Sequence, residues 1–193
     1  MEYVNRRGHR YFVFQGKTKS GKPKYFASRK QKSDKAELIE SLPESYELFE
    51  NPADGLVHIR LRRTSPIIEA ERELVERLVL ALSSYSIVQT IIDRNFIVVY
   101  VPDTDPMDAA ARMVAIFGTT PAKIAEWTAS QTRYSAELRF GLVDADERLF
   151  VAERFCYRSS VDDWIPISGT SSLEPLVRQI AVRLGSDSFY DFF

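Results

Sequence analysis

The chain has 193 residues, with 26 lysines and arginines against 27 acidic residues and a net charge of -1. With 45% hydrophobic and 12% aromatic residues it has the composition of a globular protein, not of a disordered or collagen-like one. The single cysteine, Cys156, excludes an internal disulfide framework, and two distant histidines, His9 and His58, form no zinc motif. The longest apolar run, 96–101, is far shorter than the ~20 residues of a membrane helix, so we expect a cytoplasmic protein that does not enter a membrane.

The nearly neutral total hides an uneven distribution of charge. Residues 1–32 contain ten cations and one acidic residue, a net charge of +9. Residues 33–193 contain 16 cations and 26 acidic residues, a net charge of -10. The sequence therefore has a basic N-terminal segment followed by an acidic remainder.

The basic segment has the pattern of a β-hairpin, because two aromatic and β-branched runs, 10–15 and 24–28, flank a loop rich in glycine and lysine. Residues 16–23 (GKTKSGKP) match the phosphate-binding pattern G-x-x-x-x-G-K-[ST] except at the last position, where Pro23 lacks the magnesium-binding hydroxyl. In a phosphate-binding loop a helix follows, whereas here the pattern predicts a strand. We therefore interpret this stretch as a hairpin tip and not as a nucleotide site.

Two further elements precede the acidic part of the chain. Residues 33–41 are expected to form either a short helix capped by Ser33 or a linker. The runs 46–50 and 56–61 flank Asn-Pro-Ala-Asp-Gly, a turn sequence that predicts a second hairpin.

The rest of the chain alternates between helices and hairpins. In order, the patterns predict a helix (69–85), a hairpin (87–92 and 96–101), two helices (106–117, started by an Asp105 cap, and 121–131), a hairpin (134–143 and 149–157), a loop around the acidic pair 162–163, and a helix from Ser172 to Gly185. Hairpins favour antiparallel pairing, so the predicted fold class is α+β, with mainly antiparallel hairpins alternating with helices after an N-terminal basic hairpin. We expect a single main domain, 1–193, with its core in 44–193 and 1–32 as a semi-independent appendage.

The predicted basic hairpin interleaves cations with aromatic residues, the combination that binds phosphates and stacks on bases in single-stranded nucleic acids. The candidate binding residues are Arg10, Lys17, Lys19, Lys22, Lys24 and Arg29 for phosphates, with Tyr11 or Phe12 and Tyr25 or Phe26 for stacking. The sequence thus predicts a non-catalytic binding protein whose hairpin contacts a polyanion, with nucleic acid favoured over an acidic protein surface. The alternative is that both aromatic faces are buried and the cations only protect a strand edge from aggregation.

The C-terminal residues 189–193 (FYDFF) are unusually aromatic for a chain end. Phe189, Tyr190, Phe192 and Phe193 are expected either to dock on the protein's own core or to form a partner or homodimer surface. The second possibility makes a protein-interaction module the alternative function. Since no nucleophile and base pair or set of metal ligands stands out, we predict no catalytic residue, metal or cofactor, and an enzyme is the least favoured class.

Overall fold

The computed structural model describes residues 1–117, 120–158 and 161–191. The chain divides into two compact units, Met1–Arg62 and Arg63–Phe193. The first unit has 13 cations and 8 acidic residues, a net charge of +5, and the second has 13 cations and 19 acidic residues, a net charge of -6. This division does not test whether the two units fold independently, so the single main domain stays a prediction.

The first unit is organised around one central strand. Its elements are β1 (Glu2–Val4), β2 (Arg10–Lys17), β3 (Pro23–Ser28), β4 (Glu37–Leu38), β5 (Tyr46–Glu50) and β6 (Val57–Leu61). Strand β2 pairs antiparallel with β3 on one side and with β1 and β4 on the other, while β5 and β6 form a separate two-stranded sheet. Both predicted hairpins of this unit are confirmed.

Strand β4 lies within residues 33–41, for which the sequence analysis left either a short helix or a linker open. Strand β1 pairs with β2 only as far as Phe12, so the backbone groups of β2 beyond that point need other partners. Strand β4 supplies them, with Phe14 opposite Leu38 and the amide of Ile39 donating to the carbonyl of Val13 at 3.0 Å. The helix alternative for this segment is therefore wrong.

The second unit contains a six-stranded antiparallel sheet and four α-helices among its described residues. In order its elements are α1 (Glu69–Leu82), β7 (Gln89–Asp93), β8 (Phe96–Pro102), α2 (Pro106–Phe117), α3 (Pro121–Gln131), β9 (Tyr134–Asp144), β10 (Leu149–Arg158), β11 (Val161–Pro166), β12 (Ser171–Ser172), α4 (Leu173–Ala181) and a short 3-10 helix (Asp187–Phe189). The strand order is β11-β10-β9-β8-β7, with β12 paired to β10. The α+β fold class is confirmed.

The core of the second unit lies between one sheet face and helices α1 and α4. Alternate residues of β8 and β9, such as Ile97, Val99 and Phe140, pack with Val75 of α1 and Ile180 of α4. Each of these five side chains is fully buried. Each of the two helices thus buries one apolar face against the sheet, as expected of amphipathic helices that cover a sheet.

Two local predictions in the second unit have different outcomes. The Asp105 cap is confirmed, because its carboxylate accepts a hydrogen bond from the Met107 amide at 2.9 Å at the start of α2. The loop predicted around Asp162 and Asp163 is wrong, because these residues lie in β11, where they face Tyr157 and Cys156 of β10. Aspartate is rare in strands, which hid the pattern, but an edge strand tolerates it.

Candidate functional site

The connection between β2 and β3, together with the strand ends on either side of it, is an exposed basic surface of the first unit. All residues from Lys17 to Lys24 are exposed. Four of them carry a positive charge, and we call these the tip lysines: Lys17, Lys19, Lys22 and Lys24.

Hydrogen bonds within the connection hold its backbone in one conformation. Lys17 pairs with Pro23 at the end of the ladder, and the amide of Thr18 donates to the carbonyl of Lys22 at 2.8 Å. The Lys22 amide donates to the Thr18 hydroxyl at 3.1 Å. Gly21 has φ +80°, a left-handed conformation that glycine adopts without a steric penalty. These hydrogen bonds thus fix the backbone positions of the tip lysines, whose side chains are exposed to solvent.

The charge of the tip is not neutralised locally. Within the described part of the chain, none of the tip lysines forms an ion pair with an acidic residue. A recess of about 550 Å³ beside the tip is lined by Lys17, Lys35, Asp34 and Glu37, so its two lysines are balanced by two carboxylates. The excess positive charge therefore belongs to the exposed loop and not to this recess.

The two predicted arginines lie away from the tip. Arg10 begins β2, seven positions before Lys17, which corresponds to about 23 Å at ~3.3 Å per residue. It forms an exposed ion pair with Glu2 at 3.5 Å. Since Phe12 pairs with Ser28, Arg29 follows β3 at the same end of the hairpin as Arg10. The structure brings together the four lysines and separates them from both arginines.

The predicted stacking residues of β2 are buried. Tyr11 and Phe12 are only 5% and 6% exposed, because successive side chains of a strand point to opposite faces and both faces of β2 are covered. Neither ring therefore has a free face for a base.

The predicted stacking residues of β3 are half-buried and already in contact with other rings. Phe26 stacks on Phe14 with ring centroids 5.5 Å apart, and Tyr25 packs against Tyr46 at 4.7 Å. The tip thus offers charge without an aromatic platform.

The aromatic C-terminal segment is partly in the core of the second unit. Phe189 is 1% exposed, which confirms for this residue that the segment docks on its own core. Tyr190 is 50% exposed, and its carbonyl accepts a hydrogen bond from the Arg154 guanidinium at 3.2 Å. Phe192 and Phe193 lie outside the described residues, and a role in a partner or dimer surface stays a prediction.

A group of aromatic residues that the sequence analysis missed lies on the sheet face opposite α1 and α4. A recess of about 340 Å³ there is lined by Phe96, Tyr100, Phe155, Tyr157 and Trp164 with Arg139. The Arg139 guanidinium lies 3.9 Å from the centroid of the Phe96 ring and 4.5 Å from that of Trp164, and it pairs with Glu153. The unbroken apolar run 96–101 could have predicted this face, since apolar residues at every position of a strand occupy both faces of its sheet.

Negative charge lies next to Tyr157, one of the residues that line this aromatic recess. Burial raises the pKa of Tyr157 to about 12, and the negative charge of Glu137 adds to the shift. Burial likewise raises the pKa of Glu137, with a contribution from Asp103. Because the whole second unit also has a net charge of -6, this face is poorly suited to a phosphate backbone.

Comparisons of the chain with protein-family models, with curated proteins and with solved structures gave no match. Among the described helices, none is both long enough and apolar enough to cross a membrane. The described residues include no group of three or more histidine, cysteine, aspartate or glutamate side chains that could hold a metal ion.

Proposed function

We propose that the chain is a non-catalytic cytoplasmic protein that binds the phosphate backbone of a nucleic acid through the tip lysines. The observation that carries the proposal is the set of four exposed lysines on one hydrogen-bonded loop, without ion pairs to the described residues. Phosphate contacts from lysine supply affinity without reading sequence. Since the rings near the tip are engaged elsewhere, binding is expected to be independent of base sequence.

The number of lysines sets the expected salt dependence. Each neutralised phosphate releases condensed counterions, so log K falls against log salt with a slope of about -0.7 per contact on a single strand and -0.9 on B-form DNA. Four contacts give a slope of about -3 to -4. On duplex DNA this means about 100-fold weaker binding when salt rises from about 50 to 200 mM.

The test is fluorescence anisotropy of a labelled DNA of about 20 base pairs over this salt range. Changing the four tip lysines to glutamine should abolish most binding and flatten the slope. The matched control changes four exposed cations of the second unit to glutamine and so alters the net charge equally: Arg77, Arg112, Lys123 and Arg133. The control should bind within about two-fold of the unaltered chain, because its phosphate contacts are intact.

Three results would contradict the proposal. The first is no binding at low salt, and the second is an equal loss of binding in both variants. The third is competition by polyglutamate at the same charge concentration as the DNA, which would favour the acidic protein surface as the ligand instead.

A further inference from the structure

The hairpin extends beyond the strands that flank it. Strand β4 pairs with β2 only at Phe14 and Gln15, whereas the pairing of β2 with β3 continues to Lys17 opposite Pro23. At Gly16 the neighbouring segment is still close, with the Cβ of Ala36 3.4 Å from where a Cβ on that glycine would lie. From Lys17 to Lys24 every residue is exposed. This part is therefore an exposed two-stranded ribbon closed by residues 18–22.

The dimensions of this ribbon match a groove of B-form DNA. Paired strands are about 4.8 Å apart, and the major groove, about 12 Å wide and 8.5 Å deep, admits a two-stranded ribbon. The strands end at Lys17 and Pro23 and residues 18–22 turn between them, so the exposed part is at most about 10 Å long at ~3.3 Å per residue, comparable with the depth of the groove. Lys17 lies opposite Pro23 and Lys24 lies opposite Gly16, so the two lysines belong to neighbouring pairs and lie on opposite faces of the ribbon. A ribbon inserted edge-on then directs one lysine to each wall of the groove.

Other nucleic acids fit the ribbon less well. The major groove of an RNA duplex is too deep and narrow for protein side chains. Single strands are bound by aromatic rings with free faces, whereas here Tyr25 packs on Tyr46 and Phe26 stacks on Phe14.

We infer that the nucleic acid bound by this protein is duplex DNA, with the ribbon 17–24 inserted in the major groove and the tip lysines on the flanking phosphates. The inference rests on the proposed function and adds the form of nucleic acid and the groove that is used.

The test compares three labelled probes with equal numbers of phosphates: a DNA duplex of about 20 base pairs, an RNA duplex of the same sequence, and a DNA single strand of about 40 thymidines. The full chain should bind the DNA duplex at least about 10-fold more tightly than either other probe, since only that groove accepts the ribbon. A DNA duplex whose cytosines carry glucosylated hydroxymethyl groups, which fill the major groove, should bind as weakly as the RNA. Netropsin, which occupies the minor groove, should not compete.

A variant of the loop tests its shape at constant charge. Thr18→Val removes the hydroxyl that accepts the Lys22 amide and keeps all four lysines. It should weaken binding to the DNA duplex several-fold and leave binding to the single strand unchanged. If it weakens both equally, or neither, the conformation of the ribbon is not what the ligand recognises and the inference is wrong.

The remaining outcomes separate the inference from the proposed function. Equal or tighter binding of the RNA duplex or the single strand, full binding of the glucosylated duplex, or competition by netropsin would overturn insertion in the major groove while phosphate binding stands. No binding of any probe at low salt would overturn the proposed function itself.

Discussion

Replacement of Phe189 by alanine tests whether the aromatic C-terminal segment is structural. The ring is 1% exposed and belongs to the core cluster that includes Ile180 and Leu184, and it contacts Tyr190 edge-on at 5.4 Å. Removing a fully buried phenylalanine loses its transfer free energy and leaves a cavity, which together cost about 3–5 kcal/mol. In a unit of this size each kcal/mol lowers Tm by about 3 °C, so Phe189→Ala should lower the Tm of the second unit by about 10–15 °C.

Urea unfolding followed by tryptophan fluorescence reports the stability of the second unit, because both tryptophans, Trp127 and Trp164, lie in it. The control is Tyr190→Phe, which removes a hydroxyl whose hydrogen bond to Glu137 is long, at 3.4 Å, and exposed, and which should cost under about 0.5 kcal/mol. Size-exclusion chromatography of the same samples reports any oligomer. A loss under about 1 kcal/mol for Phe189→Ala, or disappearance of an oligomer without destabilisation, would refute docking as the main role of this residue.

The elements that the sequence predicts well are those fixed by neighbouring residues. In the hairpin of β5 and β6 the amide of Ala53 donates to the Asn51 side chain at 3.0 Å, and that of Leu56 donates to Asp54 at 2.9 Å. Gly55 has φ +71°, which glycine adopts readily. These interactions lie within six consecutive positions of the chain, so the local sequence is enough to indicate the turn.

Of the two strands that the sequence missed, one depends on a distant partner and the other has an unusual composition. Strand β4 has two residues, and it forms because β2 has unpaired backbone groups about 23 positions earlier in the chain. No local window contains this information. Strand β11, by contrast, follows β10 directly, with Val161 opposite Arg158, and it was missed because its two aspartates oppose the usual strand pattern.

The residues of the candidate site also differ in how far the sequence predicts them. The tip lysines could be predicted from the sequence, because a short loop between two paired strands is exposed whatever else the chain does. The state of the aromatic residues could not, because alternation assigns Tyr11 and Phe12 to opposite faces without saying that both faces are covered. Tyr25 likewise meets Tyr46, a partner from a different hairpin. The exposure of charged residues on a loop thus follows from the local sequence. Whether an aromatic ring has a free face for stacking depends on packing throughout the unit.

Two further predictions concern single hydrogen-bonded side chains whose pKa differs between the folded and unfolded states. Burial acts to raise the pKa of Asp105, but hydrogen bonds from Ser86 and Met107 outweigh it and hold the pKa below its ordinary value. Asp105→Ala should therefore cost about 1 kcal/mol at neutral pH, and this difference from the unaltered chain should shrink as pH falls through the lowered folded pKa. A difference that is the same at neutral pH and near pH ~2 would contradict this role. In the first unit, burial raises the pKa of Tyr3 from 10.0 to about 12, aided by its 2.7 Å hydrogen bond to the Glu50 carboxylate. Because the folded state holds the phenolic proton more tightly, the Tyr3 contribution to stability is complete below pH 10 and is lost as pH rises to about 12. Circular dichroism of urea unfolding across this range should show a steeper loss of first-unit stability in the unaltered chain than in Tyr3→Phe, and equal slopes would show that the Tyr3 proton is not held by the fold.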